Sequence, residues 1–181
     1  MTRIRPIDQN TADSAAAELL GAVKKKMGKV PNLIATMAHS PAVANAYLNF
    51  SQTLATGKLP QRLREQIALA VGETNNCNYC VAAHTALGKA AGLTEQETRA
   101  ARQGSSSIAR ESVALDFARR LVQDRGIVTN ADLERVRLAG YTDGEVGEIV
   151  ANVALNIFTN YFNHVAGTEV DFPAVPSLAA A

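Results

Sequence analysis

The chain has 181 residues, of which 47% are hydrophobic, and a formal net charge of +1. This length suffices for one globular domain with a hydrophobic core, and the hydrophobic fraction excludes an intrinsically disordered chain. The charge balance lacks the basic stripe of a nucleic-acid-binding surface. No segment reaches the roughly 18 consecutive apolar residues of a membrane span, and the N-terminal MTRIRPIDQN lacks the apolar region of a signal peptide. We therefore expect a cytoplasmic protein that binds neither nucleic acid nor membrane.

Helix start and stop signals mark the N-terminal half of the chain. Asp13 precedes an Ala- and Leu-rich segment that stops at Gly28, as expected for a helix with a C-terminal glycine. Ser40 and Pro41 are typical of an N-cap followed by proline at the first helical position. Pro60 opens a further helix with an apolar stripe, and the segment that contains both cysteines follows it.

The same signals continue through the C-terminal half. Thr94–Glu97 and Thr142–Glu145 have the pattern of capping boxes, and Asn130 is predicted to cap a short helix. The last helix, roughly 143–165, is apolar on several sides, which favours a central position. No stretch shows the sustained period-2 alternation of strands. We predict an all-α fold of about eight helices in a single domain over residues 1–181.

Two segments are predicted to be non-helical. Residues 104–107, with the sequence GSSS, form a loop that is a candidate link between an N-terminal and a C-terminal helical half. Residues 166–181 form a C-terminal tail. We find no convincing short-period repeat in the chain.

The only two cysteines of the chain lie in the segment CNYCVAAH. On a helix, Cys77, Cys80 and His84 share one face in successive turns. Asn75 and Asn76 form a good N-cap region, which places Cys77 in the first turn, where the helix dipole favours a thiolate. A histidine one turn further can act as a base, and the two sulfurs are close enough for a disulfide. In a reducing compartment such a pair is more often catalytic or metal-binding than structural.

Three interpretations of this segment remain open from the residues. The preferred one is a two-cysteine redox centre, because CxxCxxxH rarely arises by chance in a chain with so few cysteines and histidines. A zinc site would combine these three side chains with a fourth ligand such as His39, His164 or a carboxylate. The chain has no second CxxC and no HxxxH, and a domain of this size folds without metal. The third interpretation is a pair of buried, inert cysteines with a surface histidine.

The stretch LREQIALAVGETNNCNYCVAAHTALGKAAGL resembles the alkylhydroperoxidase AhpD and carboxymuconolactone decarboxylase family. The resemblance rests on Glu65 twelve residues before Cys77, on the CxxC pair, and on His84 four residues after Cys80. It covers roughly residues 40–125. The later stretch NIFTNYFNHVAGTEVDFP resembles the peroxidase-related branch of the same family.

This resemblance implies an all-α protein that assembles as a homo-oligomer, a trimer or a hexamer, and reduces organic hydroperoxides. It implies that Cys80 attacks the peroxide oxygen and becomes a sulfenic acid, which Cys77 resolves as a disulfide. It also implies that Glu65 and His84 relay protons. An external dithiol, on a lipoyl carrier or a thioredoxin-like protein, then regenerates the thiols. No haem, flavin or metal is implied. The few charges in the helix at 143–165 also favour an oligomer.

Tyr79 departs from the family pattern, because the best-known peroxidases have a second histidine just before the second cysteine. Tyrosine can donate a hydrogen bond but is a poor base at neutral pH. The alternative function is therefore a thiol–disulfide exchanger or redox sensor that uses the same cysteines without efficient peroxidase turnover. The intact CxxC pair argues against the lactone decarboxylase activity of the family's other branch.

Several further side chains have two interpretations. Glu65 lies near Arg62 and Arg64, where a surface ion pair is the alternative to the proton relay that the resemblance favours. Glu73 either caps the cysteine helix or shapes the site. His164 is typical of a core histidine near a helix end, while neighbouring buried amides line either the pocket or an oligomer interface. These amides are Asn156, Asn160 and Asn163.

Overall fold

The computed structural model describes residues 1–8 and 10–178, and this part of the chain contains nine α-helices and no strand. The helices are α1 Ser14–Met27, α2 Asn32–Met37, α3 Pro41–Leu54, α4 Gln61–Thr74, α5 Asn78–Ala90, α6 Glu95–Arg102, α7 Ala109–Gln123, α8 Asn130–Leu138 and α9 Asp143–Ala166. The all-α prediction is confirmed. The additional helix is α2, whose six residues have no side-chain cap that the sequence would reveal. Among the described residues, no helix combines the length and hydropathy needed to cross a bilayer.

Side-chain caps place most helix starts where the sequence predicts them. The carboxylate of Asp13 accepts the N–H of Ala16 at the start of α1, and both predicted capping boxes are formed in α6 and α9. The start of α8 differs by one residue, because Thr129 and not Asn130 is the N-cap. Its hydroxyl accepts the N–H of Asp132, whose carboxylate accepts the N–H of Thr129 in return.

Helix α4 lies at the centre of the structure and packs against α5, α6, α7 and α9. The larger hydrophobic cluster joins α4, α7 and α9 through fully buried side chains such as Ile67, Leu115 and Ile149. Burying each of these contributes about 1.5–3 kcal/mol relative to exposure. A second cluster joins α1, α2 and α3 to the start of α5. The loop at 104–107 connects α6 to α7. Helices from both sides of this loop pack against α4, so the two halves are not separate.

The C-terminal tail begins one residue later than predicted, because Ala166 still belongs to α9, and residues 167–177 are non-helical and pack on the helices. Gly167 ends α9 with a positive φ of 60°. The carboxylate of Asp171 accepts the backbone N–H of Asn32 at 3.2 Å, and Arg102 donates to the carbonyl of Pro176 at 2.9 Å. These contacts hold the tail beside α2 and α6. Residues 179–181 of the predicted tail lie outside the described residues.

Candidate redox site

Cys77 lies at the junction between α4 and α5. Asn76 adopts a positive φ of 56°, a conformation that asparagine tolerates. The N–H of Cys77 donates to the carbonyl of Gly72, and the N–H of Asn76 donates to that of Glu73, which closes α4 as a Schellman motif. Cys77 is then the N-cap of α5, and Cys80 lies in the first turn. The prediction that Cys77 occupies the first turn is therefore wrong, because the asparagines close α4 and do not open α5.

The two cysteines are joined as a disulfide, with Cα atoms 5.3 Å apart. Cys77 and Cys80 are only 1% and 2% exposed. The Cys77 sulfur accepts the N–H of Cys80 at 3.3 Å. The side-chain amide of Asn163 donates to the Cys80 sulfur at 3.3 Å and lies 3.9 Å from the Cys77 sulfur. The predicted disulfide geometry is confirmed, and a buried amide donor from α9 faces both sulfurs.

His84 and Glu65 form a hydrogen-bonded pair between α5 and α4. The Nδ1 atom of His84 lies 2.8 Å from the Oε2 atom of Glu65, and both side chains are largely shielded from solvent. Arg62 pairs with Glu97 at 2.7 Å, so Glu65 does not form the surface ion pair considered as its alternative. The pKa of Tyr47 is raised to about 12, mainly because the side chain is buried and secondly because of the negative charge of Glu65. The carboxylate of Glu65 therefore lies in a sheltered environment, next to an imidazole and a neutral phenol.

Three cavities are lined in part by His84, and two of them connect it to Cys80 and Glu65. A small, mainly apolar cavity of about 50 Å³ is lined by Cys80, His84 and Asn163 together with aliphatic side chains of α2 and α5. A more polar cavity of about 220 Å³ is lined by His84, Glu65 and Asn156 among others. Because His84 lines both, it connects the surroundings of the Cys80 sulfur to the Glu65 carboxylate.

Tyr79, which stands where the second histidine was expected, supports the fold around the disulfide. Its hydroxyl donates to Asp171 at 2.8 Å and accepts the N–H of Leu33 at 3.1 Å. Burial above all raises the pKa of Tyr79, so that the phenol stays neutral. The ring of Phe172 packs edge-on against that of Tyr79, with centroids 5.7 Å apart. Tyr79 thus ties α5 to α2 and to the C-terminal tail.

Of the two interpretations of Glu73, the cap on α5 is not formed, while its side chain lines a cavity that Cys77 also lines. Glu73 accepts from Arg102 at 2.7 Å. His164 is exposed, with its Nε2 atom 3.4 Å from the carbonyl oxygen of Asn76, so it is not a core histidine. His39 is also exposed and contacts the carbonyl of Arg5. Within residues 1–8 and 10–178, no group of three or more His, Cys, Asp or Glu side chains is arranged to hold a metal.

The sequence singles out the asparagines of α9 as candidates to line a pocket or an interface. It does not predict the contact of Asn163 with the sulfur of Cys80. Buried asparagines recur along α9 at spacings of four, four and three residues, which places them on one face. They are Asn152, Asn156, Asn160 and Asn163. Asn160 accepts from the side chain of Asn75 at 2.8 Å, just before the cysteines. The spacing of the asparagines indicates a polar face of α9. Whether this face contacts the disulfide depends on how α9 packs on α5.

Comparison with known proteins agrees with the arrangement described. An alkyl hydroperoxide reductase of Mycobacterium tuberculosis is 29% identical over 96 residues, which make up 52% of this chain and 28% of that protein. An uncharacterized peroxidase-related protein of Ralstonia eutropha, solved as an alkylhydroperoxidase AhpD core, superposes with a TM-score of 0.83 at 26% identity over 94% of each chain. A peroxidase-related protein of Silicibacter sp. has a TM-score of 0.79 at 24% identity over 92% of each chain.

The fold and the buried CxxC pair therefore define an AhpD-like helical protein. Residues 41–124 match the model of the carboxymuconolactone decarboxylase family. The chain is similar to this family over these residues, and the resemblance inferred from the sequence is confirmed. Its match spans little more than a quarter of the length of the curated reductase.

Proposed function

We propose that the protein is a thiol-dependent peroxidase that reduces organic hydroperoxides at the Cys77–Cys80 centre. The observation that carries this proposal is the continuous arrangement of three groups. Cys80 shares a cavity with His84, and His84 is hydrogen-bonded to Glu65 at 2.8 Å. A sulfur, an imidazole and a carboxylate in this order provide a nucleophile and a route for its proton.

The reaction follows from these positions. The Cys80 thiolate attacks one peroxide oxygen, the O–O bond breaks, and the alkoxide that leaves takes a proton from the His84–Glu65 pair. Cys80 becomes a sulfenic acid. The Cys77 sulfur, joined to it in the structure, then displaces the hydroxyl as water and forms the disulfide. A dithiol, which we propose to come from a lipoyl carrier or a thioredoxin-like protein, returns both cysteines to thiols.

The experiment compares two oxidants on the reduced protein. An organic hydroperoxide should form the Cys77–Cys80 disulfide much faster than an oxidised thiol does, and turnover should follow with a lipoyl carrier or with thioredoxin assayed side by side. Faster disulfide formation by the oxidised thiol would instead support the alternative, a thiol–disulfide exchanger or redox sensor. A cytoplasmic location stays a prediction.

Asn163 is expected to stabilise the Cys80 thiolate, because its amide donates to that sulfur at 3.3 Å. A hydrogen bond to a charged group is worth about 1.5–3 kcal/mol, so Asn163→Leu should slow the peroxide step by roughly 10–10²-fold. Removing the donor disfavours the thiolate, so the pH profile of Cys80 alkylation should move to higher pH. Asn160→Leu removes a buried amide that contacts Asn75 and is the control. Equal losses in both variants would assign the effect to packing.

Tyr79→Phe should weaken the fold more than the chemistry. The change leaves the N–H of Leu33 and one oxygen of Asp171 without the hydroxyl that they share. We expect a loss of about 1–3 kcal/mol in the free energy of unfolding, measured by urea titration. The peroxide rate of the folded protein should stay close to that of the wild type. Tyr161→Phe, which removes a hydroxyl outside this network and keeps the aromatic ring, is the control. Unchanged stability with a lost peroxide rate would place Tyr79 in the proton route.

We also propose that the protein is a trimer or a hexamer, as the sequence predicted. Helix α9 exposes large apolar side chains that an interface would cover. They are Val150, Phe158, Tyr161 and Val165. Light scattering at micromolar concentration should give the mass of three or six chains, and Phe158→Glu should lower it. A monomeric mass for the unmodified protein would contradict the proposal.

A further inference from the structure

A second cavity adjoins the disulfide on the side of Cys77. It has a volume of about 470 Å³ and is separate from the small cavity that contains Cys80 and His84. Its lining combines the end of α4 and the start of α5 with the tail between residues 170 and 177. Phe172 lines both cavities. The two cysteines of one disulfide therefore line two different cavities.

The walls of this second cavity combine apolar and polar side chains and include an ion pair. Val81 and Ala82 of α5 line it, together with Val175 and neighbouring tail residues. Arg102, which is 7% exposed, also lines the cavity and pairs with Glu73 at 2.7 Å. The same guanidinium donates to the carbonyl of Pro176 at 2.9 Å, which fixes the tail as a wall. Burying a charged group costs free energy unless the group is paired and hydrogen-bonded. The contacts of Arg102 with Glu73 and Pro176 therefore stabilise this wall of the cavity.

We propose that this cavity is the entry site of the reducing dithiol, which attacks Cys77 there while the hydroperoxide reaches Cys80 from the other cavity. The inference rests on the proposed peroxidase function and adds a separate route for its second substrate. Because Cys77 is 1% exposed, a thiol held flat on a protein surface does not reach its sulfur. A dithiol on a slender aliphatic arm can enter a cavity of about 470 Å³, where Val81, Ala82 and Val175 would line the path of the arm.

The exchange balances in two steps. One thiolate of the dithiol forms a bond to the Cys77 sulfur, the Cys77–Cys80 bond breaks, and Cys80 leaves as a thiolate with the electron pair. The second thiolate of the dithiol then attacks the dithiol sulfur that is bound to Cys77. The bond between that sulfur and Cys77 breaks, and Cys77 leaves as a thiolate. The dithiol is oxidised to a cyclic disulfide and the protein is reduced to two thiols. Cys80 is the better leaving group, because the amide of Asn163 is closer to its sulfur than to that of Cys77.

The test measures the reduction of the preformed disulfide without any peroxide. Ala174 is exposed and lines the Cys77 cavity, so Ala174→Trp fills it with little risk to the fold. We expect this variant to reduce the rate constant with dihydrolipoamide by about tenfold or more, while oxidation by hydroperoxide stays unchanged. Ala131→Trp, at an exposed position of α8 outside both cavities, is the matched control and should change neither rate. Equal reduction rates in Ala174→Trp and the unmodified protein would overturn the proposal.

A second measurement locates the attacked sulfur. The oxidised protein is treated with 2-mercaptoethanol, quenched with N-ethylmaleimide, and cleaved by chymotrypsin after Tyr79, which separates the two cysteines. The mixed disulfide should lie on Cys77 and the maleimide on Cys80. A mixed disulfide on Cys80 would refute the proposed route. The reduction rate and the location of the mixed disulfide are both measured without peroxide, so these two outcomes are independent of whether the protein proves to be a peroxidase.

Discussion

Cys77→Ser should accumulate a sulfenic acid on Cys80 when it is treated with one equivalent of an organic hydroperoxide. Cys80 lies in the first turn of α5, beside the cavity that it shares with His84, and receives the closer contact from Asn163. Without Cys77, no second sulfur is present to convert the sulfenic acid to a disulfide. A sulfenic-acid probe followed by mass spectrometry should therefore label Cys80, and catalytic turnover should be lost.

Cys80→Ser is the matched variant and should leave Cys77 almost unreacted on the same timescale. Cys77 precedes the helix and lines a cavity that His84 does not line. Helix electrostatics alone is worth about 0.3–1 kcal/mol, whereas an adjacent base is worth about 10²–10⁴ in rate. Rapid labelling of Cys77 in Cys80→Ser would reverse the assignment of the two sulfurs.

Glu65→Gln and His84→Gln should each slow the peroxide step by about 10²–10⁴-fold, because each removes one half of the proposed proton relay. Glutamine in place of Glu65 keeps the size of the side chain but removes the negative charge that faces the imidazole. Stopped-flow measurement of disulfide formation in the reduced protein reports this step directly. Reduction of the preformed disulfide by dithiol should be much less affected.

The double variant tests whether the pair acts as one unit. Groups in direct contact are not independent, so Glu65→Gln combined with His84→Gln should cost about as much as either change alone. Glu97→Gln, which alters the neighbouring pair with Arg62, is the control and should leave the peroxide rate unchanged. Fully additive losses, or a loss of equal size in Glu97→Gln, would contradict a shared relay.

Local signals allowed the helical framework and part of the site to be predicted. Caps such as Asp13 and the two capping boxes act over three residues, so the sequence is enough to locate them. The prediction that Asn75 and Asn76 open the cysteine helix is wrong for a reason that is also local. An Asn-Asn pair suits both a helix start and a left-handed helix stop, and the structure uses it to close α4.

The amino-acid sequence alone shows that the chain is helical and that Cys77, Cys80 and His84 lie in successive turns, because both features depend on spacings of a few residues. The surroundings of the two sulfurs, in contrast, depend on how distant helices pack. Asn163 is 83 positions from Cys80, and Asp171 is 92 from Tyr79, so these contacts exist only when α9 and the tail pack on α5. Packing depends on which apolar faces the helices bury together, and the position of an amide or a hydroxyl in the chain does not reveal its distant partner.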